Sequence, residues 1–224
     1  MKKTFTVLIL TILILTCICF AGCGSKASEP EETGPEIIKF GKYIQTSTDI
    51  AIDIEWIVLE KDGNKALILS RYILDTMKYD DSSSIYANSY IREWLNDTFY
   101  NAAFTEEEKS KILTTSVDNS VASTGAESNP YATVNTEDKI FLLSQKEATE
   151  YFPTENERKA SGTVRAKQRG LYEYLGYSSW WLRSPHSERA SYARIINYAG
   201  RNDTSKPVSE YTQAGARPAC WVEL

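Results

Sequence analysis

His186 is the one histidine in 224 residues, so any chemistry that needs a titrating imidazole has a single place to occur. A serine nucleophile would need an elbow of the Gly-x-Ser-x-Gly kind, and the chain has none. Histidine-rich zinc and two-histidine iron sites cannot be built from one ring. As a general base His186 would have only loop carboxylates such as Glu188 or Asp203 for company. It follows Pro185 in a predicted loop, where a lone histidine is expected to be solvated. Asp80, Asp81, Asp138, Asn202 and Asp203 offer oxygen ligands, but none sits in a loop with calcium-ligand spacing. With neither a phosphate loop nor a dinucleotide fingerprint, no metal and no cofactor is expected.

The residue types that remain for recognition are the 14 tyrosines. Tyr172, Tyr174, Tyr177, Tyr192, Tyr198 and Tyr211 lie in polar contexts, where a ring gives amphipathic contact at low entropic cost. Together with His186, Asn197 and Arg201 on neighbouring loops, Tyr172, Tyr174, Tyr177 and Tyr192 are the expected ligand-binding residues. The bland alternative is that each ring caps the core with its hydroxyl outward. Charge narrows the ligand: the formal net charge is −5, and removing residues 1–22 with Lys2 and Lys3 leaves 23 basic against 30 acidic residues, or −7. Such a balance argues against nucleic acid, which needs a basic face. An uncharged or cationic ligand, such as a glycan, or an envelope protein fits better.

The N-terminus says where such a module would sit. Lys2-Lys3, an apolar run from Val7 to Phe20 and then Ala21-Gly22-Cys23 form a secretory signal that is too short for the ~20 residues of a spanning helix. The segment resembles a bacterial lipoprotein signal, which implies that residues 1–22 are removed and Cys23 is acylated. Phe20 stands where leucine is commoner. Residues 24–36 are rich in Ser, Pro, Gly and Glu and form the expected flexible tether, holding the domain ~20 Å from the membrane. Residues 37–224 make one globular domain, expected as a monomer on the extracytoplasmic face. Cys23→Ala is expected to abolish membrane retention, because stable anchoring needs two acyl chains or their equivalent. Fractionation that leaves the variant in the membrane pellet at unchanged size would sink this reading. Cys17 and Cys19 leave with the signal, so only Cys220 remains and no intrachain disulfide is available. In its apolar run Cys220 reads as a buried small hydrophobe.

The elements that must hold these side chains are local and legible. Residues 36–44 alternate as a strand. Residues 54–59 and 65–70 are strands split by Lys61-Asp62-Gly63-Asn64, a hairpin signal. Tyr90, Ile91, Trp94, Leu95 and Phe99 fall on one helical stripe. Thr105 with Glu108, and Ser144 with Glu147, are capping boxes. The second is expected to follow directly on a strand over 139–143. Residues 114–137 and 153–170 read as polar loops, 192–198 as a strand, 200–207 as a turn and 217–222 as the last strand. Trp180-Trp181-Leu182-Arg183-Ser184-Pro185 and Gly215-Ala216-Arg217-Pro218-Ala219-Cys220-Trp221-Val222 are the expected keystone. There Trp56, Trp94, Trp180, Trp181 and Trp221 are structural, and the forks of Arg183 and Arg217 satisfy carbonyls or a carboxylate.

Six ordered motifs carry a resemblance: Trp56 with Leu67-Ile68-Leu69-Ser70, Ser89-x-x-Arg92-x-Trp94-Leu95-Asn96, Phe99-Tyr100 with Ala103-Phe104, Asp138-Lys139-x-Phe141-Leu142-Leu143-Ser144, Trp180-Trp181-Leu182-Arg183-Ser184 and Arg217-Pro218-Ala219-x-Trp221. From about residue 37 onward the chain resembles the bacterial family catalogued as domain of unknown function 6273, which brings no established activity. The closing strand is also similar to the formylglycine-generating-enzyme branch of the C-type lectin fold. That similarity implies an α+β domain, mainly antiparallel strands with two or three short helices and long loops, with its first and last strands side by side. Ala216 and Cys220 depart from the larger aliphatics usual there. The oxidase chemistry of that branch needs a cysteine pair, which the mature domain lacks, so a non-catalytic binding module is expected. A hydrolase-type site near His186 and a structural role in an envelope complex are the alternatives.

Overall fold

Gly63 turns a tight hairpin with φ +60°, and the register Asp62↔Lys65 leaves Gly63-Asn64 as the two-residue loop. Glycine at the first central position suits a tight turn whose twist matches the strands on either side. The computed structural model describes residues 34–224; Cys23 and the rest of the signal-like segment lie outside the described residues. Strand β1 (Ile37–Ile44) pairs antiparallel with β2 (Ala51–Asp62), which pairs with β3 (Lys65–Ser70). A bulge between Lys39 and Lys42 places Gly41 at φ +69° against Phe104, whose ring lies 2.5 Å from where a Cβ would stand. Only glycine lets β1 approach that ring so closely.

After the short strand β4 (Asp75–Thr76), α1 (Tyr90–Trp94) runs through a π-helical turn at Leu95–Phe99 into α2 (Tyr100–Ala103). Ile91, Trp94, Leu95 and Phe99 are buried as the stripe requires, whereas Tyr90 is exposed at the helix start. Helix α3 (Glu106–Lys111) opens on the Thr105/Glu108 capping box. The expected loop over 114–137 contains a small antiparallel pair, β5 (Thr115–Val117) with β6 (Thr136–Asp138), and within β6 the Thr136 hydroxyl donates to Asp138 at 2.7 Å.

Residues 139–143, expected as a strand, form none. The reason is Asn96: its Oδ1 accepts from the amides of Lys139 and Ile140 at 2.9 and 3.2 Å, and its Nδ2 donates to the Ile140 carbonyl at 2.9 Å. A side chain takes the place of a neighbouring strand, and only a bridge from Phe141 to Ala219 remains. Helix α4 (Gln145–Tyr151) follows with its Ser144/Glu147 box. The polar stretch 153–170 holds α5 (Glu155–Arg158) and α6 (Val164–Gln168), both missed because neither carries an apolar stripe.

The chain closes with β7 (Glu173–Tyr174), β8 (Tyr177–Ser178), β9 (Trp180–Pro185), β10 (Tyr192–Ile196), β11 (Thr204–Pro207), β12 (Gly215–Ala216) and β13 (Ala219–Glu223). The expected turn at 200–207 is therefore half strand. One sheet runs β1-β2-β3-β13 and another β11-β10-β9-β12-β4, antiparallel throughout except for β9 beside β12. The first and last strands are not adjacent. They lie at opposite edges of one sheet, because the hairpin signals commit β1, β2 and β3 to a meander and leave only the far edge of β3 for β13. Leu113 and Phe141 hydrogen-bond along the other side of β13, so this edge is covered.

The keystone segments are divided between the sheets, β13 in the first and β9 and β12 in the second. Trp56, Trp180 and Trp181 are fully buried, and each indole N–H reaches a carbonyl: Phe40 at 2.7 Å, Arg158 at 3.1 Å and Met77 at 3.0 Å. Trp94 is buried too, stacked on Phe99. Trp221 departs from expectation; it faces away from Cys220 and Val222 and is only partly buried. Cys220 is buried, and burial pushes its thiol far above the ordinary range. Arg183, buried between β9 and α4, forks onto both oxygens of Glu147, with one contact at 2.7 Å, and donates to the carbonyls of Asp118 and Leu142. Arg217 has no carboxylate. It donates to the Ser70 carbonyl at 2.9 Å and lies over the Trp180 ring at 4.9 Å and the Phe152 ring at 5.5 Å, and burial pulls it down to about 9.

Candidate functional site

Four tyrosines meet at one surface. Tyr172 precedes β7, Tyr174 and Tyr177 flank the turn between β7 and β8, and Tyr198 follows β10. Ring centroids of Tyr174 and Tyr198 lie 5.1 Å apart, and those of Tyr172 and Tyr198 6.3 Å apart. All four are exposed, at 37–49%. The four rings thus form one exposed aromatic surface.

Each ring is held by the local backbone. Leu175 and Gly176 form the β7–β8 turn with φ +50° and +85°, which requires left-handed backbone at both positions. Leucine is a poor choice there and is 79% exposed. Tyr198 sits in a turn that Asn197 organises, its Oδ1 accepting from the amides of Ala199 at 2.9 Å and Arg201 at 3.0 Å. Gly200 closes that turn at φ +86°, so near α5 that a Cβ would stand 1.8 Å from the Glu155 carbonyl. Two adjoining cavities share Tyr198: one of about 260 Å³ bounded by Tyr172, Asn197, Lys206 and Gln213, and one of about 160 Å³ bounded by Lys159, Tyr174, Leu175 and Tyr177. Neither wall contains a carboxylate, and Lys159 lies over the Tyr177 ring at 5.4 Å.

Of the expected ligand-binding residues, Tyr172, Tyr174, Tyr177 and Asn197 are brought together here. Arg201 is not among the lining residues; it is exposed and paired with Asp203 at 2.7 Å. His186, just after β9, and Tyr192, at the start of β10, pack against each other elsewhere, with ring centroids 6.4 Å apart. The expected solvation of His186 is wrong: only 8% of the residue is exposed, because its amide pairs with the Tyr192 carbonyl at the mouth of the β9–β10 turn. Its Nδ1 accepts from the Glu188 amide at 3.0 Å, and among the described residues no carboxylate or hydroxyl is hydrogen-bonded to the ring. Lys159, Lys206 and Gln213 complete the groove and were not foreseen. Two of them lie in stretches whose α5 and β11 left no periodic trace in the sequence.

A larger cleft of about 520 Å³ lies beside α1 and β6, but its inner polar groups are already engaged. Arg92 donates from Nε to Asp138 at 2.7 Å and from Nη1 to the Ala87 carbonyl at 2.8 Å. Burial raises the Asp138 carboxyl, against the opposing pull of Thr136 and Arg92. The motif residues Arg92, Asn96 and Asp138 thus join α1 to the segment after β6. Among the described residues no group of three or more His, Cys, Asp or Glu side chains converges as a metal site would.

No curated protein and no solved structure matches the sequence. The architecture is mixed helix and strand, mainly antiparallel with short helices, and the ordered motifs are spread through both sheets. Over residues 63–224 the sequence matches the family described as domain of unknown function (DUF6273), and the chain belongs to that family.

Proposed function

We propose that the protein is a lipid-anchored surface protein of the extracytoplasmic face whose domain is a non-catalytic binding module, holding a glycan of the envelope in the tyrosine groove. The observation that carries the reading is the convergence of four exposed tyrosine rings around two adjoining cavities. Aromatic faces suit the apolar faces of sugar rings, and Asn197, Gln213 and the lysines supply hydrogen-bonding groups. With lysines and no carboxylate in its walls, the groove favours a neutral ligand over the cationic one that the net charge alone suggests. Anchoring rests on the lipobox-like Ala21-Gly22-Cys23, and no helix among the described residues is long and apolar enough to cross a membrane. We read the fold as C-type-lectin-like, of the formylglycine-generating branch, on the closing Gly-x-Arg-Pro-Ala motif and the Trp-rich strand; β1 and β13 share one sheet, though not as neighbours.

Calorimetric titration of the full-length chain with N-acetylhexosamine oligomers tests the function. Tyr174→Ala and Tyr198→Ala are expected to weaken binding about five- to tenfold each, the value of one ring contact of ~1 kcal/mol. Tyr90→Ala, outside the groove, is expected to leave it unchanged. Absence of binding, or equal affinity in all three variants, removes the reading. A protein partner is the second reading, favoured by the exposed and strained Leu175. Leu175→Asn, which suits the turn better, is expected to weaken a protein contact that uses the exposed leucine while keeping the fold.

A further inference from the structure

Tyr192 is the centre of a second cluster that the tyrosine groove does not use. Along β10, Ala193 and Ile195 point inward, so Tyr192 and Arg194 share the outer face of the strand. Arg189, in the turn before β10, lays its guanidinium 4.2 Å from the centre of the Tyr192 ring, and His186 meets the same ring edge-on.

The hydrogen bonds of His186 expose a shortage of acceptors. The Glu188 amide donates to Nδ1, so Nδ1 is the acceptor and the proton of the neutral ring lies on Nε2. Nε2 in turn stands 3.3 Å from Arg189 Nη2, and a guanidinium can only donate. Two donors therefore face each other, one on a side chain that is nine-tenths buried, and no acceptor satisfies both. Among the described residues neither Arg189 nor Arg194 has a carboxylate within ion-pair distance, and the one hydrogen bond of the Arg194 guanidinium goes to the Asp203 carbonyl at 3.3 Å. The acids nearby are Glu188, which makes no ion pair with either arginine, and Asp203, which is held by Arg201. The excess positive charge registers on the cluster itself, against the opposing pull of Glu188. Burial, then Arg194 and Arg189, hold His186 below its ordinary range.

We infer that His186, Arg189 and Arg194 form a binding site for a phosphate group. The missing component is an acceptor that can take the His186 Nε2 proton and an Arg189 N–H together, with Arg194 as a second guanidinium. A phosphate has oxygens for all three donors, whereas a carboxylate has two. The phosphate can be borne by a soluble or polymeric phosphoester or by a lipid headgroup, since all present the same oxyanion.

Because His186 is the only histidine, its ring carbon-bound protons are a unique magnetic-resonance reporter in the full-length chain. Titration with inorganic phosphate and then glycerol 3-phosphate, at fixed pH and at ionic strength balanced with chloride, is expected to shift those signals saturably. Arg189→Gln and Arg194→Gln are each expected to weaken the response tenfold or more, while Arg71→Gln, whose guanidinium sits on Glu55 of the other sheet, leaves it intact. Urea melts of the variants establish that the fold is kept. Sedimentation with phosphatidylglycerol vesicles in excess of phosphatidylcholine vesicles, lost in both arginine variants, assigns the phosphate to a headgroup. A saturable response to glycerol 3-phosphate without that preference assigns it to a phosphoester. A shift no larger than chloride alone produces, or one that survives both Arg189→Gln and Arg194→Gln, overturns the site.

Discussion

Trp181→Ala is expected to lower the unfolding free energy by about 3–5 kcal/mol, the usual loss for truncating a buried tryptophan. The ring is fully buried on β9, Tyr79 meets it edge-on at 5.6 Å, and its N–H donates to the Met77 carbonyl. The substitution removes the packing and leaves that carbonyl without its partner, two losses that act together. Trp221→Ala is the matched comparison. Its ring is only partly buried, so it loses less transfer energy, on the order of 1–2 kcal/mol. Urea denaturation of both variants distinguishes them by midpoint. Equal losses would mean that Trp181 is not the more deeply buried ring of the two. A loss of about 3–5 kcal/mol is a large part of the stability of a domain this size, so the variant is expected at low yield.

Glu147→Gln is expected to cost about 3 kcal/mol, close to the figure for leaving a buried charge without its partner. Arg183 is almost wholly buried, and Glu147, itself mostly shielded, takes two of its N–H groups while also closing the Ser144 capping box. Glutamine still serves as a capping-box partner, so the change isolates the ion pair from the helix terminus. Arg183→Met loses the pair together with the hydrogen bonds to Asp118 and Leu142. The double variant is expected to be more stable than the sum of the single losses predicts, by about 1.5–3 kcal/mol, since neither charge is then left alone. A coupling below about 0.5 kcal/mol in that cycle would reduce Glu147 to a capping residue.

Both predictions rest on residues that stand out in the sequence, yet their partners do not. Arg183 is conspicuous in Trp180-Trp181-Leu182-Arg183, and a carboxylate for it is a fair expectation, but Glu147 announces itself only as the third residue of a helix. Arg217 reads identically from composition and meets two aromatic faces and one carbonyl instead of an acid. The difference is set by which segments the sheets bring alongside, a matter of contacts dozens of residues apart.

The sequence by itself determined what is decided within a few residues: the Gly63 turn, the capping boxes at Thr105 and Ser144, the helical stripe after Tyr90 and the burial of the Trp pair. Such signals act through hydrogen bonds and side-chain contacts one turn long, so they are written in local spacing. Helix α5 shows the limit even there, since Thr154 and Glu157 form a third capping box without an apolar stripe to draw attention to it. Tertiary structure alone decided that residues 139–143 are bound by Asn96 rather than by a strand, and that β13 lies at the far edge from β1. It alone sorted the candidate residues into two places: Tyr172, Tyr174, Tyr177 and Asn197 on one surface, His186 and Tyr192 on another. Tyr174 meets Tyr198 across 24 positions of chain because β9 and β10 pair between them. No periodicity encodes that meeting; it follows from where packed sheets leave rings no room inside.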